Sequence, residues 1–384
     1  MNIGFDAKRA YHNQTGLGHY SRTLLRSMAT YFQRHNYYLF NPKPSSLFHF
    51  NEFKNVKEVL PSGFLSNQFP SLWRGNWVKK DLQRYKIDLY HGLSHEIPVG
   101  IHKTGVKSVV TIHDLIHERF PEQYSFIDRK IYSRKFRYAC GHADAIIAIS
   151  EQTKNDIAEF YKTDPSRITV CYQSCNAAFA ETVSGEEKQR VKSLYDLPDQ
   201  FFLYVGSIIE RKNLLGICKA FHSLQNEITV PLVVIGSGGA YKQKVKDYII
   251  SNNLQQQIIF LSENPAAKSS PGFQNASDFP AIYQQAMAMI YPSFFEGFGI
   301  PVLEALWSRI PVITSNVSCL PEAGGEGAFY VSPANADEIA HQIKTIFWNK
   351  ELVHKQIEKG WQHAQKFSNF NTASTVINTY NQLL

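Results

Sequence analysis

The sequence predicts an α/β protein made of two doubly wound, Rossmann-like domains facing across a cleft. At 384 residues the chain exceeds one ordinary hydrophobic core and suits two. Short apolar runs alternate with amphipathic stretches along almost its whole length, the pattern of parallel strands covered by helices. That alternation is interrupted once, near residues 181–200, and then starts again. A content of 43% hydrophobic and 19% charged residues belongs to a globular rather than a disordered chain.

In the first half, strands are predicted at Asn2–Phe5, Tyr37–Phe40, Leu89–Tyr90, Val109–Ile112, Ala145–Ile149 and Thr169–Val170. Helices are expected from Tyr20 to about His35 and from Ser150 to about Tyr161, the second with Ser150 as its N-cap. The polar stretch Glu181–Gln200, with Leu197-Pro198-Asp199, reads as the boundary. Strands then follow at Phe201–Val205, Leu232–Ile235, Ile258–Leu261, Met287–Tyr291, Val312–Thr314 and Ala328–Val331. Gly272–Pro280, rich in turn residues, is expected to be a mobile loop. Open sheets of this kind bind ligands outside the carboxyl ends of their strands, and two facing sheets enclose a substrate cleft.

Composition narrows the function. No apolar run approaches the roughly 20 residues of a membrane span, and the opening residues read as a strand rather than a secretory leader, so a cytoplasmic protein is expected. Five irregularly spaced cysteines, Cys140, Cys171, Cys175, Cys218 and Cys319, read as buried free thiols. Residues 1–190 hold 26 Lys and Arg against 18 Asp and Glu, whereas residues 191–384 hold 14 against 15. Two clusters carry this excess: Lys79, Lys80, Arg84 and Lys86, then Arg129, Lys130, Arg134, Lys135 and Arg137. They suit anionic headgroups or a phosphate-bearing acceptor, with a solvated helix face as the plainer reading. No nucleic-acid motif accompanies them. Phe69, Trp73 and Trp77 beside the first cluster could form an amphipathic docking element, or equally pack in the core.

The stretch with most chemistry is Tyr291-Pro-Ser-Phe-Phe-Glu296-Gly297-Phe298-Gly299-Ile300-Pro301-Val-Leu-Glu304. A strand ends, a glycine-bearing loop follows, and Pro301 marks a helix start. Amides at Gly299 and Ile300 would form an anion site suited to a diphosphate. Glu296, in the loop, is free to accept hydrogen bonds from vicinal sugar hydroxyls. Glu304, in the first turn, could accept both hydroxyls of a ribose, or simply favour the helix dipole.

These residues, with the two glutamates eight apart, closely resemble the retaining glycosyltransferases of family four, which have the GT-B fold. Further matches run along the chain: Thr15-Gly16-Leu17-Gly18-His19-Tyr20, Thr111-Ile112-His113-Asp114, Ala148-Ile149-Ser150-Glu151, and Tyr204-Val205-Gly206-Ser207 through Arg211-Lys212-Asn213. The resemblance implies an acceptor-binding domain over 1–185, with a helix from about 367 to 384 packing back on it, and a nucleotide-sugar domain over 195–366. It implies that Lys212 and Arg211 neutralise the departing diphosphate, that Glu296 positions the donor sugar and Glu304 its ribose, and that His113 faces the reacting centre. Gly16 and Gly18 would form a loop close to the donor, with Ser207, Gly297, Phe298, Gly299 and Ile300 lining the rest of its site. Family members often carry Arg where Ser207 stands, which makes Arg211 the expected second cation.

Some transferases hold a metal with an Asp-x-Asp pair, and no two aspartates here stand two apart. Metal-independent transfer is therefore expected, with preorganised positive charge at the leaving group. The stretch Leu320-Pro321-Glu322 after Thr314-Ser315-Asn316 resembles mannosyltransferases using GDP-mannose as substrate, with glucose, galactose and rhamnose donors as alternatives and no resident cofactor. The acceptor would be a glycan or polyprenyl-diphosphate-linked saccharide in bacterial polysaccharide assembly, with peripheral membrane contact through the N-terminal domain. The alternatives are a sugar-nucleotide epimerase of the same architecture and a non-catalytic binding protein.

Overall fold

A computed structural model describes all of residues 1–384. The chain divides into two compact units: Met1–Ser174 with Phe367–Leu384, and Cys175–Lys366.

The first unit is built on seven parallel strands: β1 (Asn2–Asp6), β2 (Asn36–Phe40), β3 (Val56–Val59), β4 (Leu89–Gly92), β5 (Lys107–Ile112), β6 (Ala145–Ala148) and β7 (Ile168–Val170). Their spatial order is β3-β2-β1-β4-β5-β6-β7. The chain runs outward from β1 in one direction, then restarts at β4 and runs in the other, so the topological switch point lies between β1 and β4. Central strands are buried on both faces, as in β6 and the end of β5, which is why their sequences are continuous apolar runs. The edge strand β3, Val-Lys-Glu-Val, escaped the sequence reading because Lys57 and Glu58 are exposed and hide its apolar pattern.

Helix Glu151–Tyr161 starts as expected, with the Ser150 hydroxyl accepting from the Thr153 amide. The helix expected from Tyr20 instead spans Gly16–Tyr31. Gly16 and Gly18 therefore lie in a helical first turn and not in a loop. The Asn13 side chain accepts from the Thr15 and Gly18 amides and anchors this start. A Cβ on Gly18 would meet the Asn13 carbonyl oxygen at 1.8 Å, so glycine serves close packing there. Around Gly16 nothing lies within 4 Å of such an atom.

The terminal helix Asn369–Asn381 belongs to this unit, with Ala373, Val376, Ile377 and Tyr380 in its hydrophobic core. Trp73 is buried and donates to Asp81 at 2.7 Å. That removes it from the expected docking element, while Phe69 remains exposed. All five cysteines are buried free thiols. No helix is long and apolar enough to cross a membrane.

The second unit holds six parallel strands: β8 (Phe202–Val205), β9 (Leu232–Ile235), β10 (Ile258–Phe260), β11 (Ala288–Tyr291), β12 (Val312–Ser315) and β13 (Phe329–Val331). Their order is β10-β9-β8-β11-β12-β13, which puts this switch point between β8 and β11.

The border expected at 185 falls eleven residues earlier in the chain. Phe179 packs edge-on against Tyr283, with ring centroids 5.0 Å apart, and the Val183 amide donates to Gln284, so residues 175–185 are part of the second unit. The supposed linker contains the helix Gly185–Tyr195, capped by Ser184. Gly272–Pro280 is likewise no open loop. It carries the helix Pro271–Gln274 and the start of Phe279–Tyr283, tied down by buried Asp278, which accepts from Arg190 and from Tyr195.

Candidate functional site

The second sheet's switch point gathers the charged groups of both its signature motifs. Beyond β8 the chain passes Gly206 and exposed Ser207, then turns at Glu210–Lys212. Asn213 ends the turn in the left-handed region (φ 58°), and its side-chain Nδ2 donates to the carbonyls of Pro292 (3.2 Å) and Pro333 (2.7 Å). The turn is thereby locked to the loop that follows β11. A further bond from the Phe294 amide to the Arg211 carbonyl reinforces this.

On the other side, the loop after β11 brings Glu296 back over the strand ends. Ser318 clamps its backbone, accepting from the Glu296 amide and donating to its carbonyl. Phe298 is buried, and Cys319 donates to its carbonyl. Gly299 adopts φ 133°, a conformation open to glycine, and precedes the helix Ile300–Trp307 with Pro301 in its first turn. The first amides of that helix have no acceptor within it, so they and the macrodipole favour an anion.

Arg211, Lys212 and Glu296 meet in one cluster. Arg211 pairs with Glu296 at 2.9 Å and also donates to the Phe295 carbonyl. Lys212 lies 3.5 Å from the same carboxylate, and the Tyr291 hydroxyl stands between them. Glu296 is thus engaged by both cations rather than free, because its loop folds back on the turn bearing them. Burial alone would lift its pKa, but Lys212, Arg211 and the bonds from Arg211 and Tyr291 outweigh that and hold it below the ordinary carboxylate range. Two cations against one carboxylate leave this switch point with a net positive charge, suited to a diphosphate.

Glu304 lies in the second turn of its helix, not the first, since the helix begins at Ile300. Its carboxylate accepts from buried Tyr283 at 2.9 Å. Burial pushes this carboxyl up to about 7, against the Tyr283 hydrogen bond and the pull of Lys212. A group so embedded, outside the first turn, is not there for the helix dipole.

In the first unit, His113 follows β5 and is fully enclosed. Its Nε2 donates to the Leu93 carbonyl at 2.9 Å, which leaves Nδ1 to accept from Gln173 at 2.9 Å. Tyr20 packs edge-on against the ring. Burial lowers its pKa to about 4, so the imidazole is neutral at physiological pH. His95, in the left-handed region (φ 65°), accepts from the His113 amide and stacks on Phe136.

Sequence reasoning missed four participants. Tyr291 was legible only as the end of a strand and Asn213 as part of a motif, and nothing in the sequence marked Tyr283. The fourth lies at the first sheet's switch point, where half-buried Arg74 joins Asp6, at the end of β1, to Glu96, beyond β4. Nothing in a local pattern links residues 6, 74 and 96. No group of three or more His, Cys, Asp or Glu side chains could hold a metal ion.

Two family models account for most of the chain: Glycosyltransferase Family 4 over residues 15–178 and Glycosyl transferases group 1 over residues 185–363. Both models describe glycosyltransferases, and the chain is a glycosyltransferase. Its fold is GT-B. Among relatives, it is 28% identical to the O-antigen chain mannosyltransferase B of Escherichia coli, over 81% of this chain and 77% of that protein. It is 29% identical to the serotype-specific mannosyltransferase WbdA of the same species, over 78% of this chain but only 37% of that longer protein. A glycosyltransferase from Rickettsia africae superposes with a TM-score of 0.75 at 18% identity, over 99% of this chain and 98% of the other. Anabaena Alr3699/HepE, solved with UDP and glucose, gives 0.71 at 15% identity over 99% of both chains.

Proposed function

We propose that this glycosyltransferase moves mannose from GDP-mannose to a glycan or polyprenyl-diphosphate-linked saccharide, with retention, in the assembly of a bacterial surface polysaccharide. The observation that carries the reading is the cluster of Lys212, Arg211 and Glu296 at the β8/β11 switch point, beside the helix start at Gly299–Ile300. A nucleoside diphosphate leaves with growing negative charge, and a prearranged cationic turn stabilises that charge without reorganising. Lys212 is assigned to the diphosphate, Arg211 to the second positive charge, Glu296 to the sugar hydroxyls and Glu304 to the ribose. Ser207, Gly297 and Phe298 flank the donor, and Gly16, Gly18 and His113 are the first domain's contribution. The mannosyltransferase names of the relatives support the sugar, and family membership disfavours the epimerase and non-catalytic readings.

No carboxylate is assigned as a nucleophile, so the reaction is proposed to proceed by front-face substitution. The bond from the anomeric carbon to the diphosphate oxygen breaks as the acceptor oxygen bonds on the same face. The acceptor's hydroxyl proton passes to the departing diphosphate. Transfer is proposed to need no metal ion.

Membrane contact is proposed through the first domain. Phe64, Leu65, Phe69 and Leu72 are exposed there, as are Phe126, Ile127 and Ile131 beside Arg129, Lys130 and Arg134. Apolar side chains flanked by cations suit an anionic bilayer surface.

A panel of sugar nucleotides tested by thermal shift, then by transfer to a mannosylated polyprenyl-diphosphate acceptor, checks the reading. Stabilisation by GDP-mannose and an axial-linked product by NMR are expected, with turnover surviving a chelator. Isomerisation of the donor without acceptor, or an inverted product, would overturn it.

A further inference from the structure

We infer that the Tyr291 hydroxyl is a positioning group that keeps the Lys212 ammonium apart from Glu296 and aimed at the departing diphosphate. The inference rests on the donor-site reading above. Lys212 Nζ lies 2.5 Å from the Tyr291 oxygen, and that oxygen lies 2.9 Å from Glu296 Oε1. The direct distance from Lys212 to Glu296 is 3.5 Å, beyond a normal charge-assisted hydrogen bond. The proton directions are determined. An ammonium can only donate, so the phenol accepts from Lys212, and its one proton goes to the carboxylate.

The phenol cannot swing away. Tyr291 is 1% exposed, its ring is tilted against Tyr204, and its carbonyl accepts from Thr314. Gly206 completes the fit. A Cβ there would lie 3.4 Å from Lys212 Cδ, Lys212 Nζ and Tyr291 Cε2 alike, so lysine and ring meet at van der Waals distance over this residue. Without the hydroxyl, an aromatic ring would still fill the space. Lys212 would then close onto Glu296 as an ordinary ion pair, and its N–H groups would be spent on the carboxylate instead of on phosphate oxygens.

Tyr291→Phe removes one atom and tests this in the full-length enzyme with GDP-mannose as donor. The expected result is a kcat about 10- to 100-fold lower with the donor KM within about threefold, the pattern of a contact made mainly in the transition state. Because Lys212 would then pair directly with Glu296, and its charge holds that carboxylate ionised more strongly than the phenol does, the acid limb of the kcat profile should move to lower pH. Adding Lys212→Ala to Tyr291→Phe should cost less than Lys212→Ala alone. Unchanged kcat, an unmoved acid limb, or fully multiplicative losses would overturn the inference. Should Tyr291→Phe fail to fold, 3-fluorotyrosine at position 291 keeps the shape and makes the phenol more acidic. An unaltered kcat and pH profile would then overturn it. Lys212→Ala and Glu296→Gln enzymes with full turnover would sink the donor-site reading itself. Their inactivity beside an indifferent Tyr291→Phe would sink only the role of the phenol.

Discussion

The strand order reverses at equivalent places in the two sheets, and the balance of charge gathered there differs. At the β1/β4 switch point one cation, Arg74, sits between two carboxylates, Asp6 and Glu96, with the more exposed Lys135 reaching Glu96 from the rim. At the β8/β11 switch point one carboxylate, Glu296, sits between two cations. Arg74 is held ionised: burial opposes its charge, and Asp6 and Glu96 more than compensate. An ion group whose charges are matched in this way favours the folded state of its own unit and leaves nothing over for an anionic ligand. The second group, with an excess cation beside a helix start, has an unmet demand for negative charge. Similar topology thus gives one site that is internally neutralised and one that is proposed to take a phosphate.

The largest effect expected from this difference is on turnover. Lys212→Ala should lower kcat by about a hundredfold to a thousandfold, the scale of losing one transition-state donor, while the denaturation midpoint moves little. Steady-state kinetics beside a urea titration separates the two. Equal losses in both would make the second switch point structural like the first.

Asp6→Asn should do the reverse. Arg74 would remain half-buried with one charged partner, destabilising the fold by about 2–3 kcal/mol, with turnover per folded molecule changed less than about tenfold. A collapse of turnover with folding intact would show that the first switch point also touches substrate.

Glu304→Gln comes next and carries a pH signature. The folded carboxyl titrates at about 7 against an ordinary 4.5, so between those values the folded state keeps a proton the unfolded state has released. That contribution to stability is fully present below 4.5 and lost as pH rises through 7. The glutamine variant should therefore be the more stable of the two above pH 7, by about 1 kcal/mol. It should also bind donor about tenfold more weakly at pH 8, because the ribose contact proposed for Glu304 needs a carboxylate to accept both hydroxyls. In the parent, donor affinity should tighten as pH rises through 7, and in the variant it should stay flat. Calorimetric titration at pH 6 and 8 checks both.

The smallest change expected is from Tyr283→Phe. Loss of one buried hydrogen bond should cost about 1 kcal/mol. Since that bond favours ionised Glu304, the pH at which donor affinity improves should move upward.

Much of this was legible in the chain. Twelve of the thirteen strands announce themselves, because a parallel strand buried on both faces needs an unbroken apolar run. Glu296 and Glu304 could be singled out because charged residues in glycine- and proline-punctuated segments after strands have few structural uses, whereas Arg211 and Lys212 were marked by the family resemblance. Their states were not legible. Glu296 read as free is clamped by two cations, and Glu304 read as a first-turn residue is an embedded acid one turn further on. Gly16 and Gly18 read as a loop because glycine punctuates sequence, yet a cap from Asn13 carries the helix back through both.

By itself, then, the order of residues determined the two-sheet architecture, the strand ends where chemistry gathers and the identity of the charged groups there, since periodicity and local turn chemistry act over a few residues. Which charge meets which was decided only when folding brought together Asp6, Arg74 and Glu96, or Lys212, Tyr291 and Glu296. Burial and partner geometry set a side chain's protonation and direction, and both depend on contacts between residues far apart in the chain.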